Sequence, residues 1–272
     1  IMIARSRPFG RLLSFFGCRC GSKPIQILPM SVVAVIPARM GSKRLPGKVL
    51  ADVGGEPMVL HVAKRLLMAQ TVNHVIVATD SDAVQDAVSG VNLEVFRSLQ
   101  NHATGTDRVA EAVHGLGADL VLNVQADNAY LSPETIDSVV RCFDDPNVQV
   151  ATPICEFPVA LKPTDVSKVK AVIDAHGRAS CFSRLPVPEG GPWWLHVGVY
   201  GFRAEVLRRY AGWPRGPLEV AEDLEQLRFI ENDVAIHVTQ VAHSGVSIDT
   251  PADLANLSTS SILPALHGSS RF

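Results

Sequence analysis

A short cationic loop follows the first strongly hydrophobic run of the chain. After Val32–Ile36 comes the stretch "PARMGSKRLPGK", with two glycines and four basic residues: Arg39, Lys43, Arg44 and Lys48. Backbone N–H groups of such a loop can cradle phosphate oxygens while the cations neutralise their charge. The loop therefore predicts a polyphosphate site. The alternative is a solvated basic loop with no ligand.

The loop does not match two common phosphate-binding motifs. Five residues separate Gly41 from Gly47, and Val49 follows Lys48 where a Walker A loop has Ser or Thr. The G-x-G-x-x-G spacing of dinucleotide-binding folds is not found in this loop either. A different kind of nucleotide site is expected.

Composition argues against a nucleic-acid-binding, membrane-spanning or zinc-binding protein. The 272 residues carry a formal net charge of -2, with 47% hydrophobic and 19% charged residues, which gives no reason to expect a nucleic-acid partner. No apolar stretch approaches the roughly 18 residues that span a bilayer. The five cysteines lack zinc-type spacing: Cys18, Cys20, Cys142, Cys155 and Cys181. We therefore expect all five to be reduced thiols and the protein to be cytoplasmic.

Residues 1–30 differ in composition from the rest of the chain. They contain several Arg and Ser residues and no acidic residue, which is typical of an organellar targeting segment. The simpler interpretation is upstream translated sequence, with Met30 as the true start. Either interpretation predicts disorder for 1–30, a folded domain over 31–257 and a tail over 258–272.

Strands and helices are predicted to alternate in the first half. Hydrophobic runs predict strands at 31–38, 74–80, 93–98 and 118–127, and helical periodicity predicts helices at 57–70, 81–90 and 105–116. This alternation indicates an α/β fold with a doubly wound, mostly parallel sheet. The polar strand ends are expected to converge on one cleft: Pro37–Arg39, Thr79–Asp80, Ser98 and Gln125–Asp127.

The second half predicts an antiparallel insertion in the same domain. Its longer strands include a hairpin that turns at 174–177, and an amphipathic helix is predicted over 217–233. A last strand at 235–241 and a closing helix at 250–257 complete the chain. No internal repeat or long linker divides it.

Several segments together resemble one enzyme family. "IPARMGSKRLPGKVL", "HATGTDRVAEAV", "NVQAD", "SRLPVP", "HVGVYGFR", "EDLEQLR" and "IDTPADL" occur in the order found in the 3-deoxy-manno-octulosonate (Kdo) cytidylyltransferases, over about residues 31–257. The resemblance implies transfer of CMP from CTP to the anomeric hydroxyl of an acidic sugar, with release of pyrophosphate. It also implies a Mg²⁺ cofactor and a homodimer.

Site residues carry over from the resemblance position by position. Asp127 and Asp249 match the metal carboxylates and are expected to act in catalysis with Lys48 and Arg39. The implied nucleotide site comprises Pro37, Ala38, Arg39, Ser42, Arg44, Lys48, Ser98, His102, Thr104 and Gly105. The implied sugar site comprises Gln125, Arg184, His196, Tyr200, Glu225 and Gln226.

Three of these assignments leave alternatives open. Asp249 could cap the closing helix, although Thr250 is better placed to do so. His102 could contact nucleotide or cap a helix. Glu225 and Gln226 are adjacent and cannot share one helix face, so one of them is expected to be structural.

The strand end around Asp127 departs from the family pattern. Where the family reads Gln-Gly-Asp-Glu, this chain reads Gln125-Ala126-Asp127-Asn128, and Leu99 replaces a usually polar residue. One hypothesis is adaptation to another acidic sugar, such as amino-Kdo or a sialic-acid-type nonulosonate. A second is a CTP-binding protein without activity, and a third is neutral change with Kdo as substrate.

Overall fold

The computed structural model describes residues 30–42, 45–91, 93–158, 161–188 and 190–259. Most of the predicted extension and tail lies outside these ranges, as do Lys43 and Arg44 of the cationic loop. The described residues form twelve strands: β1 (Val32–Ala38), β2 (Asp52–Val53), β3 (Glu56–Pro57), β4 (His74–Thr79), β5 (Glu94–Arg97), β6 (Leu120–Val124), β7 (Val150–Cys155), β8 (Lys170–Ile173), β9 (Arg178–Ser183), β10 (Trp194–His196), β11 (Val199–Arg203) and β12 (Ile236–Gln240).

Helices follow or precede most of these strands. Among the described residues the α-helices are α1 (Met58–Met68), α2 (Asp82–Val88), α3 (Gly105–Ala112), α4 (Pro133–Arg141), α5 (Ala204–Ala211), α6 (Pro217–Glu222), α7 (Leu227–Ile230) and α8 (Pro251–Thr259). Short 3₁₀ turns occupy Lys48–Leu50 and Cys142–Asp144. None of these helices is long and apolar enough to span a bilayer.

Ten strands form one mixed sheet in the order β10-β8-β9-β12-β7-β11-β6-β1-β4-β5. Strands β6, β1, β4 and β5 are parallel, whereas β11 lies antiparallel between β6 and β7. The predicted α/β class and doubly wound sheet are confirmed. The order in which the chain adds strands to the sheet reverses between β1 and β6, which is where ligands bind in open α/β sheets.

Helices cover both faces of this sheet. Alternate residues of β1 point to opposite sides: Val32, Ala34 and Ile36 pack in the cluster that contains α1 and α4. Val33 and Val35 pack in the cluster that contains α3 and α5. Because both faces are buried, β1 reads as an unbroken hydrophobic run.

Several local predictions need correction. The helical periodicity of 57–70 predicts Leu67 on the buried face of α1 together with Leu66, but Leu67 is 50% exposed because Leu66 completes the buried stripe of that helix. The single helix expected over 217–233 is two short helices, since Asp223 adopts a left-handed conformation with φ of 51°. Helix α4 was not predicted. The hairpin turn is confirmed, with the Asp174 N–H donating to the Arg178 carbonyl.

Candidate active site

A pocket opens beyond the carboxyl ends of β1 and β6, beside the start of α3. Its lining combines residues predicted for the nucleotide site with one predicted for the sugar site and one not predicted: Pro37, Arg39, His102, Thr104, Gly105, Gln125 and Arg108. The polar strand ends therefore converge as expected. Asp80 joins them through its ion pair with Arg108, at 2.7 Å.

The start of α3 is fixed by a capping box. Thr104 Oγ1 accepts from the Asp107 N–H at 3.2 Å, and Asp107 Oδ2 accepts from the Thr104 N–H at 3.1 Å. A Cβ on Gly105 would lie 3.3 Å from Pro37 Cγ and 3.5 Å from Gln125 Nε2. Glycine therefore allows α3 to approach β1 and Gln125 closely.

Two distant carboxylates meet at one lysine. Lys48 Nζ lies 2.7 Å from Asp127 Oδ2 and 3.1 Å from Asp249 Oδ1. Lys48 begins its 3₁₀ turn directly after Gly47, whose φ of 67° suits a glycine. Asp127 follows β6, and Asp249 precedes α8. The loop lysine and both predicted metal carboxylates thus form one cluster.

This cluster suits a hard cation. Burial alone would lower the pKa of Lys48, but the two carboxylates outweigh it, so its pKa is raised and the ammonium stays charged. Groups of three or more metal-type ligands are not found among the described residues. Two carboxylates still fit Mg²⁺, which uses one or two carboxylates together with substrate phosphates.

The segment carrying Asp249 is tied directly to the segment carrying Asp127. The Ile248 N–H donates to the Asp127 carbonyl at 3.0 Å, and Asn128 Nδ2 donates to the Ser244 carbonyl at 2.8 Å. Thr250 Oγ1 accepts from the Asp253 N–H at 3.2 Å, so Thr250 caps α8. The Asp249 carboxylate is thereby available to Lys48 and Ser247, from both of which it accepts.

Of the residues that depart from the family pattern, neither Ala126 nor Asn128 faces the cluster. Ala126 is 6% exposed and packs in the hydrophobic core. Asn128 is 4% exposed, and a Cβ on Gly245 would lie 2.3 Å from its Oδ1. The side chain of Asn128 therefore connects loops rather than pointing to the carboxylates.

The predicted sugar side includes a histidine held in one tautomer. Thr152 Oγ1 donates its single proton to the Val199 carbonyl at 2.7 Å, so it must accept from His196 Nε2, 2.9 Å away. Nδ1 of His196 is then an acceptor. Burial, with a smaller effect of Arg184, lowers the pKa of His196 to about 3, so the ring is neutral near pH 7.

Tyr200 and Glu225 extend this side toward Gln125. The rings of Tyr200 and His196 lie 5.2 Å apart, and burial raises the pKa of Tyr200. Glu225 Oε1 accepts from Gln125 Nε2 at 3.1 Å, and Oε2 accepts from the Thr106 N–H at 2.9 Å. Burial raises the pKa of Glu225 as well, against the hydrogen bond from Thr106. Glu225 therefore positions both Gln125 and the start of α3.

Three further predicted residues, Ala38, Ser42 and Gln226, are not among the contacts described above. Ala38 is fully buried, Ser42 Oγ accepts from the Leu45 N–H at 3.4 Å, and Arg44 lies outside the described residues. Gln226 is 2% exposed, and its Nε2 has no hydrogen-bond partner among the described residues. Of the adjacent pair, Glu225 is thus the one in contact with Gln125.

Four supporting residues were missed: Arg108 and Glu111 beside the pocket, Thr152 behind His196, and Glu222, which accepts from Ser183 and the Arg184 N–H. A signal existed for two of them. Thr104, Arg108 and Glu111 follow one another at spacings of one helical turn, which places a polar stripe on one face of α3.

Sequence comparison decides the family. The family described as "Cytidylyltransferase" matches residues 33–236. A 3-deoxy-manno-octulosonate cytidylyltransferase of Geobacter sulfurreducens is 38% identical over 242 residues, covering 83% of this chain and 97% of that protein. The chain belongs to the 3-deoxy-manno-octulosonate cytidylyltransferase family.

Further relatives agree with this assignment. The Escherichia coli cytidylyltransferase of the same name is 39% identical over 228 residues, covering 82% of this chain and 92% of that protein. The solved structure of CMP:2-keto-3-deoxy-manno-octonic acid synthetase complexed with CTP superposes with a TM-score of 0.78 at 37% identity, covering 86% of this chain and 98% of that one. The family resemblance seen in the sequence motifs is confirmed.

Proposed function

We propose that this protein transfers CMP from CTP to the anomeric hydroxyl of Kdo and releases pyrophosphate, a step that activates the sugar for lipopolysaccharide synthesis. The observation that carries the proposal is the convergence of Asp127 and Asp249 on Lys48, with Asp127 two positions after the pocket residue Gln125. A loop cation with two carboxylates at a sheet switch point suits phosphoryl transfer, where positioning and electrostatics supply most of the catalysis.

Mg²⁺ belongs to the proposal because Asp127 and Asp249 offer hard oxygen ligands. When bound there, the ion would neutralise charge on the phosphates as pyrophosphate leaves. Lys48 and Arg39 add positive charge on the nucleotide side. Pro37 and the capped turn at Thr104–Gly105 shape the pocket for the nucleoside.

The sugar is assigned to the side of Gln125, Tyr200 and His196. His196 Nδ1 can accept from a sugar hydroxyl, since its Nε2 proton is used by Thr152. The Arg184 guanidinium acts electrostatically on both His196 and Tyr200, so it is placed to attract the sugar carboxylate. Glu225 holds the Gln125 amide between the two substrates.

The deciding experiment measures pyrophosphate release with CTP, Mg²⁺ and separate acidic sugars. Kdo, its amino analogue and N-acetylneuraminate form the panel. The highest turnover is expected with Kdo. Excess EDTA should abolish pyrophosphate release, and added Mg²⁺ should restore it. Preference for another sugar would reassign the substrate. CTP binding without release on any sugar would leave a CTP-binding protein.

A homodimer and a cytoplasmic location complete the proposal. Exposed apolar side chains occur on α6 and just after β9, at Leu218, Val220 and Leu185, and a second copy could cover them. Cys142, Cys155 and Cys181 are free thiols, which fits a reducing compartment. Light scattering of the purified chain tests the first point, and fractionation of cells the second.

A further inference from the structure

Lys170 is a buried lysine at the start of β8, and only 1% of its surface is exposed. Its Nζ donates to three backbone carbonyls: that of Arg184 at 2.7 Å, that of Lys168 at 2.7 Å and that of Asp165 at 3.1 Å. A neutral amine has only two N–H donors, so three carbonyl partners hold the ammonium form. Because every donor of this ammonium is used, Lys170 acts on the backbone around it and has none left for a ligand.

Strand β8 lies between the two strands that lead to residues assigned to the sugar. On one side, Lys170 pairs with Ser183, one position before Arg184. On the other side, it pairs with Leu195, one position before His196. Both pairings are antiparallel, so the start of β8 meets the ends of β9 and β10. Lys170 is therefore the residue of β8 that lies next to the sugar side of the site.

Lys170 holds Arg184 at its backbone and also holds the loop that the Arg184 side chain contacts. Nη1 of Arg184 donates to the Ser167 carbonyl at 3.3 Å. Ser167 lies between Asp165 and Lys168, whose carbonyls both accept from Lys170. One ammonium thus fixes both the backbone of Arg184 and the loop against which its guanidinium lies.

Glu222, the last residue of α6, binds the N–H side of the same stretch of backbone. Its Oε2 accepts from the Arg184 N–H at 2.9 Å, and its Oε1 accepts from Ser183 Oγ at 2.8 Å. Since Lys170 binds the Arg184 carbonyl, both polar groups of that residue's backbone are bound by charged side chains, which make the stronger kind of hydrogen bond. Burial lowers the pKa of Lys170, and the charges of Asp165 and Glu222 offset this only in part.

We propose that Lys170 and Glu222 are positioning residues that hold the Arg184 guanidinium in place for the carboxylate of the acidic sugar. The inference rests on the proposed function, which assigns the sugar to the side of His196 and Tyr200. An arginine side chain that is already fixed loses less conformational entropy when it binds a carboxylate, so the sugar binds more tightly. Neither positioning residue needs to touch the sugar itself.

The test is a double-mutant cycle between Lys170 and Arg184, measured as the KM for the sugar and the KM for CTP in pyrophosphate release. Every sugar of the panel carries the carboxylate, so the cycle uses the one that the parent prefers. Arg184→Met should raise the KM for that sugar about a hundredfold, and Lys170→Met about tenfold, with less than about a twofold change in the KM for CTP. The double variant should have the same KM as Arg184→Met alone, because Lys170 acts only through Arg184.

Glu222 offers a second comparison in case Lys170→Met does not fold, since its side chain is partly exposed. Glu222→Ala removes both acceptors and should raise the KM for the sugar about fivefold to tenfold. In Glu222→Gln, the amide oxygen can accept from the Arg184 N–H while the amide nitrogen donates to Ser183 Oγ. The KM for the sugar in Glu222→Gln should therefore stay near that of the parent.

Two matched controls separate positioning from a loss of stability and from a loss of charge. Arg203 also donates to three backbone carbonyls, but it is the last residue of β11, whereas Tyr200 is near the start of that strand. Arg203→Met should lower the melting temperature and leave both KM values unchanged. Lys162→Met removes one positive charge from an exposed lysine in the segment before Lys170, and it should change neither KM nor melting temperature.

The outcomes separate this inference from the proposed function. If the parent is active but the effects of Lys170→Met and Arg184→Met multiply in the double variant, positioning is overturned while the activity stands. The parent's KM for the sugar in Glu222→Ala would overturn positioning as well. If the parent binds an acidic sugar by calorimetry, with CTP and Mg²⁺ present, but releases no pyrophosphate, the same cycle is measured as Kd. Effects that do not multiply would then support positioning while the proposed activity fails. A parent that binds no sugar of the panel would overturn both.

Discussion

Two ionic clusters, each with one basic residue between two carboxylates, differ in how completely their charges are used. In one, Lys48 bridges Asp127 and Asp249, at 2.7 and 3.1 Å. In the other, Arg228 donates to Glu219 through Nε and Nη2, at 2.6 and 2.7 Å, and to Asp107 through Nη1, at 2.9 Å.

The second cluster is closed to solvent. The Arg228 side chain is 3% exposed and that of Glu219 is 0% exposed, and the guanidinium lies 4.1 Å from the Tyr210 ring centroid. A planar fork that is hydrogen-bonded on three nitrogens and stacked on a ring has little capacity for a ligand. Lys48 is a point charge on a flexible stem, and its Asp127 partner is 24% exposed. The Arg228 cluster is therefore a closed ion-pair network that stabilises the fold, whereas the Lys48 cluster can exchange its ion pairs for contacts with a ligand.

The largest effect is expected from breaking the closed cluster. Arg228→Met leaves the fully buried Glu219 with only the partly exposed Arg215 as an ion-pair partner among the described residues, so the free energy of unfolding should fall by about 3–5 kcal/mol. Urea unfolding measures it. Arg178→Met removes an exposed ion pair with Asp174 and should cost under about 1 kcal/mol. Equal losses in the two variants would show that the Arg228 cluster contributes no more to stability than an exposed ion pair.

The open cluster is expected to lose rate rather than stability. Asp127→Asn or Asp249→Asn keeps the size but removes one charge where phosphates and Mg²⁺ are proposed to bind. Turnover in pyrophosphate release should fall by about 100- to 1000-fold, with little change in melting temperature. Asp174→Asn, in an exposed hairpin turn, is the control. A rate near that of the parent would remove the substituted residue from the proposed metal site.

The contact between the segments that carry Asp127 and Asp249 should have a smaller effect, partly on stability and partly on turnover. Asn128→Asp cannot donate to the Ser244 carbonyl, so unfolding should cost about 1–3 kcal/mol less, with a modest loss of turnover. Asn232→Asp loses a similar bond, to the Arg228 carbonyl, at the end of α7 rather than next to Asp127 or Asp249, and should spare turnover.

The family residues at these positions can be restored together. Glu at position 128 cannot donate to the Ser244 carbonyl, so the double variant Ala126→Gly with Asn128→Glu should not improve turnover of Kdo in the pyrophosphate-release assay. An improvement would support adaptation of the parent to another sugar.

The smallest effect sharpens the role of the lysine. Lys48→Met should raise the KM for CTP by roughly tenfold, about 1.4 kcal/mol, and change the KM for Kdo less. Lys64→Met removes a lysine of 47% exposure that pairs with Glu56, and it should change neither constant. An unaltered CTP dependence in Lys48→Met would return the loop to a solvated segment.

Much of the parallel half could be predicted because its signals are local. Buried strands of an α/β sheet read as apolar runs, and polar residues such as Gln125 and Asp127 mark where β6 ends. Lys48 could be identified because its signal is local as well: it is a charged residue in a glycine-bearing loop after β1. The alternation of elements then fixed the edge of the sheet at which these residues meet.

The rest depends on contacts between distant segments. Lys48 and Asp249 are 201 positions apart, and no local pattern brings them together. The break at Asp223 separates α6 from α7, and it lets the buried Arg228 and Glu219 pair across the two helices. The tautomer of His196, which Thr152 sets, likewise depends on a neighbour that lies elsewhere in the chain.

The position of β11 has a consequence for the chain while it is being synthesised. Val199 of β11 pairs with Val124 of β6, so β6 gains its second neighbour only after a long intervening segment has emerged. Until then, the fully buried sequence of β6, "LVLNV", is an unpaired hydrophobic edge. Edges of this kind pair readily with other chains. The same strand that leads to Asp127 is therefore a segment at which the nascent protein is exposed to aggregation.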